Sequence, residues 1–210
     1  MPQTPDIPTP AISRRRVLGG LGICGALLSA PAVTLPLLPT PAQAAPVPYA
    51  LDRARSVVAF DIGDSSQPIK GRMPIQSADI RLDLDRLDRS TASVTMNAAA
   101  ATCSFPFATQ TMRGPTVLDT DRFPTIAFTS TGFQGDILGG VVSGRLTIRG
   151  ITQAQTLRAE IFRQRGTEGR DALTVRMRGA LDRHAFGASG MAALVGPSLA
   201  VDIIARISRT

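Results

Sequence analysis

The chain has no tryptophan, one tyrosine, one histidine and two cysteines among its 210 residues. Each shortage removes a class of function. With Tyr49 as the lone tyrosine there is no aromatic platform on which bases could stack. Arginines are scattered rather than gathered into a basic stripe, so nucleic acid is not an expected partner. A single histidine, His184, cannot supply the paired spacing of a structural zinc site, and no metal or cofactor is expected. Long apolar runs are also missing. The most apolar stretch, near residues 17–38, is broken by Pro31 and Pro36, whereas a membrane span needs about 20 continuous apolar residues.

What stands at the N-terminus instead is an export signal. Arg14-Arg15-Arg16 precedes a mild, glycine-containing apolar run, and Ala42-Gln43-Ala44 forms a small-x-small cleavage pattern. The arginine pair favours the twin-arginine (Tat) route. Ile23 before Cys24 is too large for a lipoprotein signal, which leaves Cys24 as an ordinary apolar-region cysteine. The expected plan is a cleaved signal peptide over residues 1–44 and one domain over 45–210, placed in the periplasm. The leader holds three arginines and one aspartate, so cleavage takes the net charge from +7 to +5. Cys103 is then the only cysteine, which excludes an internal disulfide and leaves stability to the core. Its neighbours Ala101, Phe105 and Phe107 point to an apolar, unreactive setting.

Within 45–210 the dominant signal is period-two alternation. Its clearest stretch is Phe123 to Thr152, where Ile126 and Phe128 share one parity and Val142, Gly144, Leu146 and Ile148 share another. Gly135-Asp136 and Gly139-Gly140 between the two runs have hairpin-turn chemistry. Further strands are expected over Ser56 to Ile62, over Ile69 to Ile75 (weakened by Gly71 and Pro74), and around Ile80-Leu82-Leu84 and Val94-Met96-Ala98. Others fall at Leu157-Ala159-Ile161, Val175 to Leu181 and Leu199 to Ile207. From Cys103 to Asp121 the alternation stops, which predicts a long loop with a helical turn or two, its phenylalanines plugging one end of the sheet. The fold class is therefore all-β: about eight antiparallel strands in a barrel or sandwich, with a short helical segment in the long loop. One face of most strands is charged, unlike the lipid-facing wall of an outer-membrane barrel.

Leu51-Asp52 with Ser56-Val57-Val58-Ala59-Phe60, Phe123-Pro124-Thr125-Ile126 with Phe128 and Ser130, and Gly144 to Thr152 occur in a fixed order, followed by Arg183, Phe186-Gly187 and Val195-Gly196. In that order and spacing the chain, from Tyr49 to Arg206, resembles the YceI-like family of periplasmic, lipocalin-like proteins. The resemblance implies an eight-stranded lipocalin-like barrel whose interior holds a polyisoprenoid or quinone-like lipid. It also implies homodimerisation. Before the Phe-Pro motif this chain has Ala108 to Arg122, less charged than the acidic helix usual in the family, so the barrel mouth differs.

The residues expected to line the ligand site are Phe60, Phe105, Phe107, Met112, Ile126, Phe128, Leu146, Ile148, Met177, His184, Phe186, Val201 and Ile203. An eight-stranded barrel sits at the size where the interior is either filled by side chains or holds one small ligand. Burial of a CH₂ group is worth about 0.8 kcal/mol, so one isoprene unit contributes roughly 3–4 kcal/mol against an association cost of about 4–15 kcal/mol. A few buried units suffice without a polar anchor. Arg183 and His184 are expected at a strand end satisfying backbone carbonyls, with reception of a polar headgroup as the sharper alternative. Two other readings stand beside a non-enzymatic carrier of an isoprenoid or similar amphiphile that touches a membrane or membrane protein transiently. One is a filled barrel acting as an envelope stress or interaction module. The other is a redox or hydrolytic protein using Cys103 or His184, the latter with Asp182 or Ser189, although no nucleophile elbow or oxyanion donors are visible.

Overall fold

Alternating apolar and polar residues over most of the domain leave few ways to bury one parity except in antiparallel sheet. The computed structural model, which describes residues 45–63, 68–136, 138–167 and 169–210, has this form. The segment 1–44, expected to be a signal peptide, lies outside the described residues. The strands are β1 (Val47–Leu51), β2 (Val57–Ile62), β3 (Ile69–Met73), β4 (Ile75–Leu82), β5 (Thr91–Asn97) and β6 (Thr102–Cys103). One helix, α1 (Pro106–Arg113), follows, and then β7 (Thr125–Gly135), β8 (Gly140–Ile148), β9 (Ile151–Arg163), β10 (Ala172–Asp182) and β11 (Ser198–Arg209).

All pairings are antiparallel, and the order β1-β4-β5-β7-β8-β9-β10-β11 returns to β1 through Tyr49↔Arg209 and Leu51↔Ile207. Those eight strands close a barrel among the described residues. β2 and β3 extend β1 and β4 beyond two breaks. The first half of β11 pairs with β2, from Leu199↔Ile62 to Ile204↔Val57, and its last residues pair with β1. Ser56 bridges the first break. Its hydroxyl accepts from the Arg206 N–H (3.0 Å) and donates to the Asp52 carbonyl (2.6 Å). Pro74 makes the second break, because it has no N–H, while its carbonyl accepts from the Asn97 N–H at 2.8 Å.

The hairpin that dominates the sequence is β7–β8, with Gly135 paired to Gly140 and Asp136 Oδ1 accepting the N–H groups of Leu138 and Gly139. A second, tighter hairpin joins β8 to β9 through Arg149 (φ 53°) and Gly150 (φ 75°), both left-handed as a two-residue primed turn requires. Two strands differ from expectation. The barrel begins at Val47, earlier than the Ser56 start read from alternation, and β4 runs from Ile75 to Leu82, leaving Leu84 in the following turn.

The inward parity packs in two groups. Met73, Met96, Met112, Leu118, Ile126, Ile148 and Phe186 gather beneath α1, and Tyr49, Ile80, Leu82, Leu173 and Ile207 gather at the other end. Tyr49 keeps its hydroxyl bonded to the Arg170 carbonyl (2.9 Å), and burial raises its pKa. Outside, β10 and β11 are clamped by a bidentate pair, in which Arg176 Nε and a guanidinium NH₂ donate to Asp202 at 3.1 and 2.6 Å. These bonds hold the Asp202 pKa below its ordinary value.

A depressed carboxyl pKa contributes stability above the unfolded-state value and loses it as pH falls through the folded one. The stability advantage of the wild type over Asp202→Asn, followed by thermal melts, is therefore expected to be constant at neutral pH. It should shrink as pH falls below about 4. A difference independent of pH would show that the pair does not stabilise the fold through its charge.

Candidate functional site: an apolar cavity within the barrel

The inward-facing rows do not meet at the barrel axis. They enclose a cavity of about 430 Å³, lined from β2 through β11 and from α1 and the loop before β11. This lies within the range of about 300–1,000 Å³ typical of small-molecule sites. The interior is hollow, which sets aside the filled barrel as a description of this chain's core.

Ten of the residues expected from sequence face the cavity from its walls: Phe60, Met112, Ile126, Phe128, Leu146, Ile148, Met177, Phe186, Val201 and Ile203. Phe107 also borders it, at the rim, where it is largely exposed. Phe105 and His184 do not line it, and this corrects their placement. Phe105 is the residue before the helix, which Pro106 starts, and its ring points to solvent. The end of the barrel beneath α1 is filled by Met112 and Leu118, not by the two phenylalanines expected to plug it. His184 is exposed on a 3₁₀ turn (His184–Phe186), and its backbone N–H, not its ring, engages Asp182 at 2.8 Å. Ser189 is exposed as well, and no Ser-His-Asp relay is assembled.

Two glycine–aromatic pairs keep the space open. A Cβ on Gly71 would overlap the Phe60 ring from the opposite strand, and one on Gly144 would overlap the ring of Phe128. Each ring therefore lies flat along the wall over a glycine. The sequence shows Gly71 only as a weak point of its strand. Five methionines, Met73, Met96, Met112, Met177 and Met191, line the cavity, which is every methionine among the described residues. Their unbranched thioethers adapt to irregular apolar shapes better than branched side chains do. Cys103 also faces the cavity, with its Sγ 3.5 Å from Met112 Sδ. Burial raises its thiol pKa against the opposing pull of Arg113, which favours the unreactive thiol over the thiolate.

Polar groups near the cavity are mostly occupied. Gln155 donates to the carbonyls of Ala180 (3.0 Å) and Thr156 (3.1 Å). Arg183, only 4% exposed, donates to the carbonyls of Gly196 (2.9 Å), Ala188 (2.6 Å), Gly190 (2.8 Å) and Val195 (2.7 Å). That is the carbonyl-satisfying role expected from sequence for Arg183, but His184 does not share it. Burial lowers the Arg183 pKa, yet a guanidinium keeps its proton at physiological pH. Arg149 makes a matching staple. It donates to the carbonyls of Pro115 (2.8 Å) and Val117 (2.7 Å), fastening the loop after α1 to the β8–β9 turn. The Arg-Gly pair at that turn was the available signal. Gly190 N–H completes the assembly by donating to Thr116 at 2.8 Å. Among the described residues no three of His, Cys, Asp and Glu come together.

The family model for the YceI-like domain matches residues 49–207, the whole span from β1 to the end of β11. The chain belongs to the YceI-like domain family. Solved structures agree on the barrel. Burkholderia cenocepacia BcnA superposes with a TM-score of 0.67 at 18% identity, over 75% of this chain and 99% of that one. A polyisoprenoid-binding domain from Saccharophagus degradans gives 0.57 at 12% identity, over 78% and 99%. Campylobacter jejuni YceI gives 0.56 at 18% identity, over 67% and 84%. At such identities these structures establish the fold alone. A comparison with the curated proteins gives no match.

Substituting Arg183 by lysine leaves one ammonium to serve four carbonyls, so most lose their partner in a buried setting. Each unsatisfied buried group costs about 1–3 kcal/mol, and Arg183→Lys is expected to lower the unfolding free energy in urea by roughly 3 kcal/mol. Stability within experimental error of wild type would show that the staple is dispensable.

Proposed function

We propose that this YceI-like protein is an exported, periplasmic binding and carrier protein that holds a polyisoprenoid or similar amphiphilic lipid in its barrel. The observation that carries this reading is the hollow interior of about 430 Å³ with an almost wholly hydrocarbon and thioether lining. Arg183 and Asp136 border the cavity, but the first is engaged by backbone carbonyls and the second by the N–H groups of the β7–β8 turn, which favours a long apolar ligand over a polar metabolite. Membership of the YceI-like family and the fold shared with a polyisoprenoid-binding domain support the ligand class. The twin-arginine leader in the sequence supports export. Binding rather than catalysis fits a protonated Cys103 and a solvent-facing His184.

The ligand is held by area. At about 0.8 kcal/mol per buried CH₂, a handful of isoprene units offsets the cost of association. Specificity then comes from shape, and the rings of Phe60 and Phe128 set the width of the channel.

Protein purified from its native periplasm and denatured in organic solvent is expected to release a prenyl lipid detectable by mass spectrometry. Gly71→Ala, whose new methyl group pushes the Phe60 ring toward the cavity, should carry several-fold less. No released lipid, together with no uptake of an apolar fluorophore by the empty protein, would overturn the carrier reading.

A further inference from the structure

The two segments that cap the barrel beneath α1 carry large apolar side chains on their outer surface. Phe105 is 59% and Phe107 71% exposed on the helix side, and Met191 is 39% and Leu194 75% exposed on the other. The backbone bond from Gly190 to Thr116 and the Arg149 and Arg183 staples hold these segments side by side. Three of the four, Phe107, Met191 and Leu194, also line the cavity, so the cavity reaches this rim. An unpartnered apolar rim beside an apolar site invites a definite occupant.

Charge says which. From Thr102 to Leu118 and from Arg183 to Val201 the chain has no aspartate or glutamate. Exposed Lys70 and Arg72 lie on β3 next to β6, just before Phe105, and Ser104 N–H donates to the Lys70 carbonyl at 2.7 Å. At the opposite end the Leu82–Ser90 turn holds Asp83, Asp85 and Asp88, with Asp85 bonded to Arg170 at 2.8 Å. The two capping segments thus carry no carboxylate of their own, with exposed Asp61, Asp121 and Asp182 at their flanks, while Asp83, Asp85 and Asp88 share one turn at the far end. A surface of anionic headgroups over acyl chains repels carboxylates and accepts aromatic and aliphatic side chains with flanking cations.

We propose that this end docks on an anionic phospholipid bilayer, with Phe107 and Leu194 inserted at the headgroup–acyl boundary and the cavity mouth facing the membrane. The inference rests on the reading of the cavity as a lipid site. A ligand that is itself a membrane component then passes between bilayer and barrel without crossing water. Arg149 and Arg183 act from behind, keeping the two inserted segments rigid.

Cosedimentation of the full mature protein with phosphatidylethanolamine–phosphatidylglycerol vesicles tests this. Wild type is expected to bind, and Phe107→Ser with Leu194→Ser to bind at least about tenfold more weakly, since each buried side chain is worth about a factor of ten or more. Phe162→Ser, at an exposed site 50% accessible on the barrel wall, should bind as wild type. Both substituted rim residues are exposed, so the fold should be retained, and Phe105→Ser with Met191→Ser gives a second, independent rim variant. Wild type that ignores vesicles, or rim variants that bind equally well, would overturn the proposal. So would a dimer in solution that the rim substitutions dissociate without vesicle binding, because the face would then join two copies. Uptake of an apolar fluorophore, measured on the same samples, separates the two readings. Uptake without vesicle binding defeats docking alone, and vesicle binding without uptake supports docking while defeating the carrier reading.

Discussion

Closure of the sheet along β11 is the constraint on which everything else depends. One long strand must pair with two short ones, β2 and β1, that leave its edge at different points. Ser56 makes this work by filling the gap with its hydroxyl, accepting from Arg206 and donating to Asp52. Without such a bridge the break would expose backbone groups in a barrel wall, where each unpaired group is costly. With it, the barrel has no open edge at that seam, and its inward rows are sealed from water on every side but the ends.

A sealed barrel of eight strands could still fill itself. This one stays hollow because its largest side chains lie against the wall. Phe60 and Phe128 occupy the space that Cβ atoms of Gly71 and Gly144 would take, so two aromatic rings that could have met at the axis do not. The remaining bulk is largely methionine and branched aliphatic. The energetic consequence is that an apolar surface kept from water has too few partner atoms of its own, which leaves dispersion and burial energy available to a guest. The same logic explains the two arginine staples. A hollow barrel lends its end loops little packing support, and charge-assisted bonds to six backbone carbonyls supply rigidity where hydrophobic contact does not.

Much of the fold was legible because period-two alternation is a local property. Val142, Gly144, Leu146 and Ile148 declare one face of β8 without reference to any other strand, and all four are buried. The β1 strand was missed as a strand because five residues containing a proline carry almost no alternation, and only their pairing with β4 and β11 makes them a strand. The site was legible to the extent that lining follows parity. Phe105 and His184 were misplaced because they sit where strand ends and periodicity no longer predicts direction. Phe105 precedes a helix started by proline, and His184 lies on a 3₁₀ turn. The roles of Gly71, Gly144 and Arg149 were illegible for a different reason, since each depends on a residue from another part of the chain: Phe60, Phe128 and the carbonyls of Pro115 and Val117.

The central claim is that the barrel interior is a binding site, and the methionines report on it directly. Met73, Met96, Met112, Met177 and Met191 border the cavity from separate elements, and Met1 precedes the expected cleavage point. In protein carrying labelled methionine methyl groups, titration with geranylgeraniol should move or broaden all five signals together, saturating at about one molecule per chain. Signals that stay unchanged, or movement confined to the exposed Met191, would mean that the probe remains outside and that the hollow interior is not where this protein works.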